Sequence, residues 1–169
     1  VPIFALVGMK AAGVESRSSW GRMLTSDAFS AALMATTVNV MKLVIDSRRP
    51  DGTALNSFPS GHSATAFMAA TMFHKEYGVR SPWYSIGAYT VATATSVSRL
   101  LNNRHWVSDV MVGAGIGILS TELGYYFADL IFGKKGLRHP QYDFDVTYSD
   151  ISSFLGLYMG FTMMPHHIS

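Results

Sequence analysis

Long apolar stretches separated by short polar segments run along most of the chain, and their lengths predict helices. Ser26 or Asp27 can cap a first helix that runs to about Asp46. Prolines and an Asp-Gly turn signal then mark Ser47 to Ser60 as a loop. Three more helices follow, at Gly61 to about Tyr77, Pro82 to about Leu101, and His105 to about Phe132. The pattern predicts an all-α fold, a helical bundle.

The last part of the chain has a different pattern. Gly133 to Gly136 carries two lysines and predicts the end of the last helix. From Tyr142 to Tyr148, aromatic or aliphatic residues alternate with polar ones, which is the period of a strand. Phe154 to Met164 fits another strand or a short helix. We therefore expect a helical domain at 1–135 and a separate tail at 136–169, with a short β-like segment as one option.

Composition narrows the class of protein. The chain is 49% hydrophobic and 14% charged, which excludes a disordered chain. A net charge of +2 gives no reason to expect a nucleic-acid partner. The absence of cysteine excludes a disulfide framework and a thiolate metal site. The apolar start, Val1 to Met9, has no basic region before it, so no signal peptide can be read. The oligomeric state stays open.

The hydrophobic stretches raise the question of a membrane. Ser81 to Ser98 is an uncharged run of 18 residues, at the lower edge of what spans a bilayer. Val110 to Thr121 is apolar, but Glu122 follows it. Many of these positions hold small residues, which suit both buried helices of a soluble bundle and membrane helices that pack closely. We expect membrane association and keep a soluble bundle as the alternative.

The first group of candidate site residues is Lys42 and Arg49, with Pro50 after the arginine. Residues seven apart return to nearly the same helix face. Pro50 disfavours helical geometry at Arg49, so the arginine should project from the helix exit. The two cations could grip one phosphate, with the arginine as a bidentate fork. Taken alone, such a pair is better explained as a solvated basic helix end.

The second group is Pro59-Ser60-Gly61-His62. A serine followed by a glycine at a helix start provides a cap and a close backbone approach. Exposed amides at that end attract an anion, and His62 would lie beside it, placed to give or take a proton. An ordinary capped helix with an incidental histidine explains this segment equally well when it is considered alone.

The third group is Ser98-Arg99, His105 and Asp109. A histidine and an aspartate four apart share a helix face, so the carboxylate can accept a hydrogen bond from the imidazole. That bond would leave the other ring nitrogen free as a nucleophile. Arg99 would add a third cation from the end of the preceding helix. A structural His–Asp pair is the competing explanation.

The three groups together are more specific than any one of them. Each falls at a helix boundary, so all can face the same end of a bundle. Together they supply three cations, two histidines, a carboxylate and an anion-binding helix start. Such a set can bind a tetrahedral oxyanion and stabilise it while one of its bonds breaks. The sequence has no acidic cluster beside them to hold two divalent metals. We therefore expect metal-free phosphoryl transfer without a cofactor.

These motifs resemble the signature of the type 2 phosphatidic acid phosphatase superfamily. Lys42-x6-Arg49-Pro50, Pro59-Ser60-Gly61-His62 and Ser98-Arg99-x5-His105-x3-Asp109 match it in order and without departure. The resemblance covers about Ser26 to Phe132. The superfamily contains membrane lipid phosphatases, soluble bacterial acid phosphatases and vanadium haloperoxidases, all with a helical-bundle core.

The resemblance implies a role for each matching residue. His105 would attack phosphorus and become phosphorylated, and Asp109 would orient it. His62 would protonate the leaving alkoxide and then activate water. The residues implied to bind the phosphate oxygens are Lys42, Arg49, Ser60, Gly61 through its amide, and Arg99.

The resemblance also implies a class of substrate and a location. The substrate would be phosphatidic acid, phosphatidylglycerophosphate, an isoprenyl pyrophosphate or lipid A, in a bacterial membrane enzyme whose site faces the periplasm. A soluble periplasmic acid phosphatase that acts on small phosphomonoesters is the alternative. A vanadium-dependent haloperoxidase is less favoured, because those enzymes are longer.

Overall fold

The computed structural model describes residues 2–133, 135 and 137, and helices make up most of this part of the chain. In chain order they are α1 (Pro2–Ala11), α2 (Trp20–Val44), α3 (Gly61–Tyr77), α4 (Pro82–Leu101) and α5 (Val107–Phe132). The described residues contain no strand, only isolated bridges between Ser18 and Leu137 and between Ser47 and Asn56. The predicted all-α fold is confirmed.

The boundaries of α3 and α4 are those that the sequence predicts, because local signals mark them. The hydroxyl of Ser60 accepts a hydrogen bond from the Ser63 amide at 3.4 Å and caps α3. Ser81 caps α4 in the same way, and Pro82 occupies its first position, where a missing N–H costs nothing.

The predicted start of α2 is wrong. The helix begins at Trp20, where the hydroxyl of Ser19 accepts a bond from the Arg22 amide at 3.5 Å. Ser26 lies inside the helix, and its hydroxyl donates to the Arg22 carbonyl at 3.0 Å. Serine makes both kinds of bond, so the sequence does not distinguish a cap from an interior position. The helix ends at Val44, close to the predicted Asp46.

The last helix also starts later than predicted. α5 begins at Val107 with Trp106 as its cap, so His105 belongs to the connecting segment and not to the helix. The predicted stop after Phe132 is confirmed, and Gly133 adopts a positive φ of 54°. The segments 142–148 and 154–164 lie outside the described residues. The division of the chain at 135 stays a prediction.

α3 is the central helix and packs against α1, α2, α4 and α5. Glycines let α5 approach its neighbours closely. A Cβ at Gly117 would collide with the Ala64 carbonyl of α3, and one at Gly124 with the Ser30 hydroxyl of α2. α2 and α4 flank α3 without packing extensively on each other. The space between them leads to the polar end of the bundle.

Many large apolar side chains are exposed on the outer faces of the helices. On α5 they include Met111, Leu119, Leu130 and Ile131, each more than 60% exposed. Among the described residues, only α5 is long and apolar enough to cross a membrane, with a mean hydropathy of 1.2. A buried core helix of a soluble protein would pass the same test, and 39% of the apolar window of α5 is buried.

Candidate active site

A cavity of about 800 Å³ opens at the end of the bundle where α2 ends and α3 begins. Of the predicted site residues, Lys42, Arg49, Gly61, His62 and His105 line it. Ser60 and Asp109 are fully buried, and Arg99 lies close enough to His62 to lower its pKa. The structure therefore brings the three sequence motifs together at one end of the helical bundle.

His105 is held by one ring nitrogen. Its Nδ1 donates to the backbone carbonyl of Ser57 at 2.8 Å, which assigns the proton to Nδ1 and leaves Nε2 with its lone pair. The residue is 5% exposed. Burial lowers the pKa of His105, and the bond to Ser57 and the charge of Asp109 oppose this shift. A neutral imidazole with a free Nε2 is the form that a nucleophile requires.

Asp109 does not bond directly to His105, and this expectation from the sequence is wrong. Its Oδ2 lies 3.7 Å from Nδ1, beyond hydrogen-bond length. The same oxygen accepts a short bond from the Ser57 hydroxyl and another from the Trp106 amide at 2.9 Å. The reason is the late start of α5, which takes His105 off the helix and removes the shared face. Asp109 instead caps its own helix.

His62 is the second residue of α3, and its side chain is exposed to the cavity. Burial contributes most to lowering its pKa, followed by the charges of Arg99, Arg49 and Lys42. A bound phosphate dianion would neutralise these cations and raise the pKa of His62 again. The position therefore suits a group that gains a proton when substrate binds and then gives it up.

The cations of the site carry unused hydrogen-bond donors. The Nε atoms of Arg49 and Arg99 are buried and have no hydrogen-bond partner among the described residues. Burial and the charge of Arg49 lower the pKa of Lys42, whose Nζ donates to the Asn56 carbonyl at 2.8 Å. Buried donors without acceptors and cations that repel one another are both stabilised by an anion.

Ser60 and Gly61 provide the start of α3. The Ser60 amide donates to the Asp109 carbonyl at 2.9 Å, and its hydroxyl accepts from the Ser63 amide and hydroxyl. The first amides of a helix have no acceptor within it, so the Gly61 amide can serve an anion. The roles of Ser60 and Gly61 in binding phosphate stay predictions.

Ser57 is a residue of the site that the sequence motifs do not include. This residue bonds to both His105 and Asp109, yet the sequence shows only a serine inside a predicted loop. Its one signal is its place directly before Phe58-Pro59, at the edge of the second motif. Bonds between residues 48 and 52 positions apart cannot be read from spacing.

The cavity continues away from the charged end as an apolar groove. Its floor is α3 and its walls are α2 and α4. The lining side chains along it are Met34, Ala35, Val38, Thr65, Ala66, Ala69, Val91 and Thr95, and the polar Asn39 lies on the same wall three residues before Lys42. One end of the site is therefore cationic and the other is apolar.

Comparisons with known proteins identify the family of this chain. The chain matches the model of the PAP2 superfamily over residues 24–131. A lipid A 1-phosphatase of Porphyromonas gingivalis is 59% identical over 133 residues, which cover 78% of this chain and 30% of that protein. A probable lipid phosphate phosphatase beta of Arabidopsis thaliana is 32% identical over 105 residues, covering 46% of this chain and 49% of that protein. No solved structure matches.

The chain thus spans less than a third of the first relative and about half of the second. The family match covers more than half of this chain and includes all three motifs that meet at the cavity. The resemblance drawn from those motifs is confirmed. This chain belongs to the PAP2 superfamily.

Proposed function

We propose that this chain carries the active site of a phosphatase that removes phosphate from a membrane lipid through a phosphohistidine on His105. The observation that carries the proposal is the state of His105. Its Nδ1 is bonded to Ser57, and its ring lines a cavity that also holds Lys42 and Arg49. A free Nε2 beside unpaired cationic donors is suited to attack a phosphorus atom.

In the first step, the lone pair of His105 Nε2 forms a bond to phosphorus and the bond from phosphorus to the ester oxygen breaks. The leaving oxygen takes a proton from His62. Lys42, Arg49 and Arg99 stabilise the negative charge on the three equatorial oxygens of the phosphoryl group. Asp109 stabilises the positive charge that the phosphorylated imidazole acquires.

In the second step, water attacks phosphorus while His62, now neutral, accepts a proton from it. The bond between phosphorus and Nε2 breaks, and inorganic phosphate leaves with His105 restored. Burial and the charges of Arg99, Arg49 and Lys42 lower the pKa of His62, which supports its return to the neutral state once phosphate has gone.

The protein's own side chains supply the positive charge in this scheme, and no metal enters it. Among the described residues, no group of three or more His, Asp or Glu side chains comes together in a way that could hold a metal ion. A direct test is the addition of EDTA, which we expect to leave turnover unchanged. Inhibition by EDTA that a divalent metal reverses would overturn this part of the proposal.

The apolar groove supports an amphiphilic substrate. A molecule with an anionic phosphate at one end and hydrocarbon at the other matches the cationic and apolar ends of the cavity. The relative that is 59% identical is named a lipid A 1-phosphatase, so we place a lipid A phosphate first among the candidates. Phosphatidic acid, phosphatidylglycerophosphate and isoprenyl pyrophosphates come next.

We also propose that the protein is located in a membrane. The exposed apolar side chains of α5 support its insertion into a membrane. An active site that faces the periplasm is what the resemblance to the family implies. Detergent dependence of the full-length protein tests the membrane location. Partition into the aqueous phase without detergent would favour the soluble alternative.

A phosphate-release panel with the full-length protein tests the proposed function. It compares lipid A, phosphatidic acid, phosphatidylglycerophosphate and an isoprenyl pyrophosphate with small soluble phosphomonoesters. We expect the highest kcat/KM for a lipid, loss of turnover in His105→Ala, and nearly unchanged turnover in His74→Ala, a histidine at the other end of α3.

Two outcomes would replace the proposal. Equal or better turnover of small soluble esters would favour a non-specific acid phosphatase. Halide oxidation that requires vanadate would favour a haloperoxidase.

A further inference from the structure

Ser57 makes hydrogen bonds to three different parts of the chain. Its amide donates to the Ser47 carbonyl at 2.8 Å, its carbonyl accepts from His105 Nδ1 at 2.8 Å, and its hydroxyl donates to Asp109 Oδ2 in a short bond. The residue is fully buried. Three bonds in different directions determine where both its carbonyl and its hydroxyl lie.

The carboxylate of Asp109 is held away from the imidazole. Its Oδ2 accepts hydrogen bonds from both the Ser57 hydroxyl and the Trp106 amide, and it lies 3.7 Å from His105 Nδ1. The Asp109 carbonyl also accepts from the Ser60 amide at 2.9 Å, so backbone and side chain are both anchored. Ser57 therefore hydrogen-bonds to both the histidine and the carboxylate, through its carbonyl and its hydroxyl respectively.

We propose that Ser57 is a positioning residue through which Asp109 acts on His105. The serine carbonyl orients the imidazole and selects the tautomer with a free Nε2. The serine hydroxyl holds the carboxylate at a distance, where its charge stabilises a phosphorylated ring without drawing the Nδ1 proton onto itself. This inference rests on the proposed function, because it assumes that His105 is the nucleophile.

The charges that face His105 set the direction of the expected change. They are Asp109 on α5, which raises its pKa, and Arg49 in the loop and Lys42 on α2, which lower it. Without the serine hydroxyl, Asp109 loses a donor and can turn towards Nδ1. A direct bond would favour the imidazolium form, and the free base would then be lost at a higher pH than in the unmodified protein.

The experiment is a pH profile of kcat/KM for Ser57→Ala in the full-length protein. We expect roughly a 10-fold loss at neutral pH, the effect of one hydrogen bond to a charged group. The acidic limb should also move to higher pH. Ser57→Thr, which keeps the hydroxyl, should restore the position of the limb. Ser96→Ala is the matched control, because Ser96 is a buried serine whose hydroxyl has no partner among the described residues.

A double-mutant cycle with Asp109→Asn separates positioning from packing. If Ser57 acts through Asp109, Ser57→Ala should cost less than about 3-fold in the Asp109→Asn background and should not move the acidic limb there. Ser57→Cys fills the same space with a weaker donor and gives the same comparison if the alanine variant does not fold.

The inference would be overturned by an acidic limb that stays in place in Ser57→Ala and Ser57→Cys, or by losses that simply multiply with Asp109→Asn. Its failure is distinguishable from failure of the proposed function. In the first case the unmodified protein still turns over and His105→Ala does not. In the second case His105→Ala retains turnover.

Discussion

The length of the apolar groove predicts how kcat/KM depends on the length of the hydrocarbon chain in the proposed lipid substrate. Along α2 the lining runs from Met34 to Lys42, which lies eight positions further on, so at a rise of ~1.5 Å per residue the groove is about 12 Å long. Carbon–carbon bonds of ~1.5 Å advance an extended chain by about 1.3 Å per carbon. An octyl chain therefore fits between the cations and the far end of the groove, and a butyl chain leaves more than half of it empty.

Burial of the four additional methylene groups gives the expected magnitude. Each buried CH₂ contributes ~0.8 kcal/mol, so full burial of four groups amounts to about 3 kcal/mol and roughly a 200-fold increase in kcat/KM. Half burial, in a groove that is open along one side, gives about 15-fold. We expect octyl phosphate to exceed butyl phosphate by a factor between these two values.

The assay measures phosphate release from butyl, hexyl and octyl phosphate at concentrations where each is monomeric. Ala35→Phe places a ring in the groove and should reduce the dependence on chain length to less than about 3-fold. Ala32→Phe is the matched control. It lies on the same helix, is similarly exposed, and lines a separate surface depression with Leu24 and Phe29.

Equal kcat/KM for butyl and octyl phosphate would refute the assignment of the groove to the hydrocarbon chain. The same conclusion would follow if the chain-length dependence persisted in Ala35→Phe and disappeared in Ala32→Phe.

Three further predictions concern the site and the fold. Burial lowers the pKa of His105, so its free base persists into more acidic solution. The acidic limb of the pH profile of kcat/KM should therefore have its midpoint below pH 6.5, the ordinary value for histidine. A midpoint above pH 6.5 would contradict this. Arg99→Lys removes a buried, unpaired Nε donor and should reduce kcat/KM about 10- to 100-fold while the fold, followed by circular dichroism, is retained. Gly117→Ala should lower the free energy of unfolding by about 1–3 kcal/mol, because the added methyl group collides with the Ala64 carbonyl. Gly115→Ala is the control, because a methyl group there meets no atom within 4 Å and should not destabilise the protein. Thermal unfolding measures the difference between the two variants.

Some parts of the fold could be predicted because their signals are local. Ser60 and Ser81 cap the helices that follow them, and Pro82 lies at a first helical position, so the boundaries of α3 and α4 agree with the sequence. The start of α2 could not be predicted in this way. Ser26 and Asp27 look like caps, but the buried contacts of the preceding turn extend the helix back to Trp20.

The candidate site shows the same division. The motifs predict which residues meet, and Lys42, Arg49, His62 and His105 do line one cavity. The motifs do not predict which hydrogen bonds these residues make in the site. The cap at Trp106 takes His105 off the helix, and His105 Nδ1 donates to the Ser57 carbonyl and not to the Asp109 carboxylate that the sequence predicts. Contacts between distant segments depend on tertiary packing, which spacing along the chain does not record.

The proposed role of His105 as nucleophile is tested most directly by identification of the phosphorylated residue. The full-length protein is mixed rapidly with a phosphate ester labelled in its phosphoryl group, quenched with alkali to preserve phosphohistidine, digested and analysed by mass spectrometry. We expect label on His105, slower release of that label in His62→Ala, and no label in His105→Ala. Label on another residue, or full turnover in His105→Ala, would contradict the proposed role of His105.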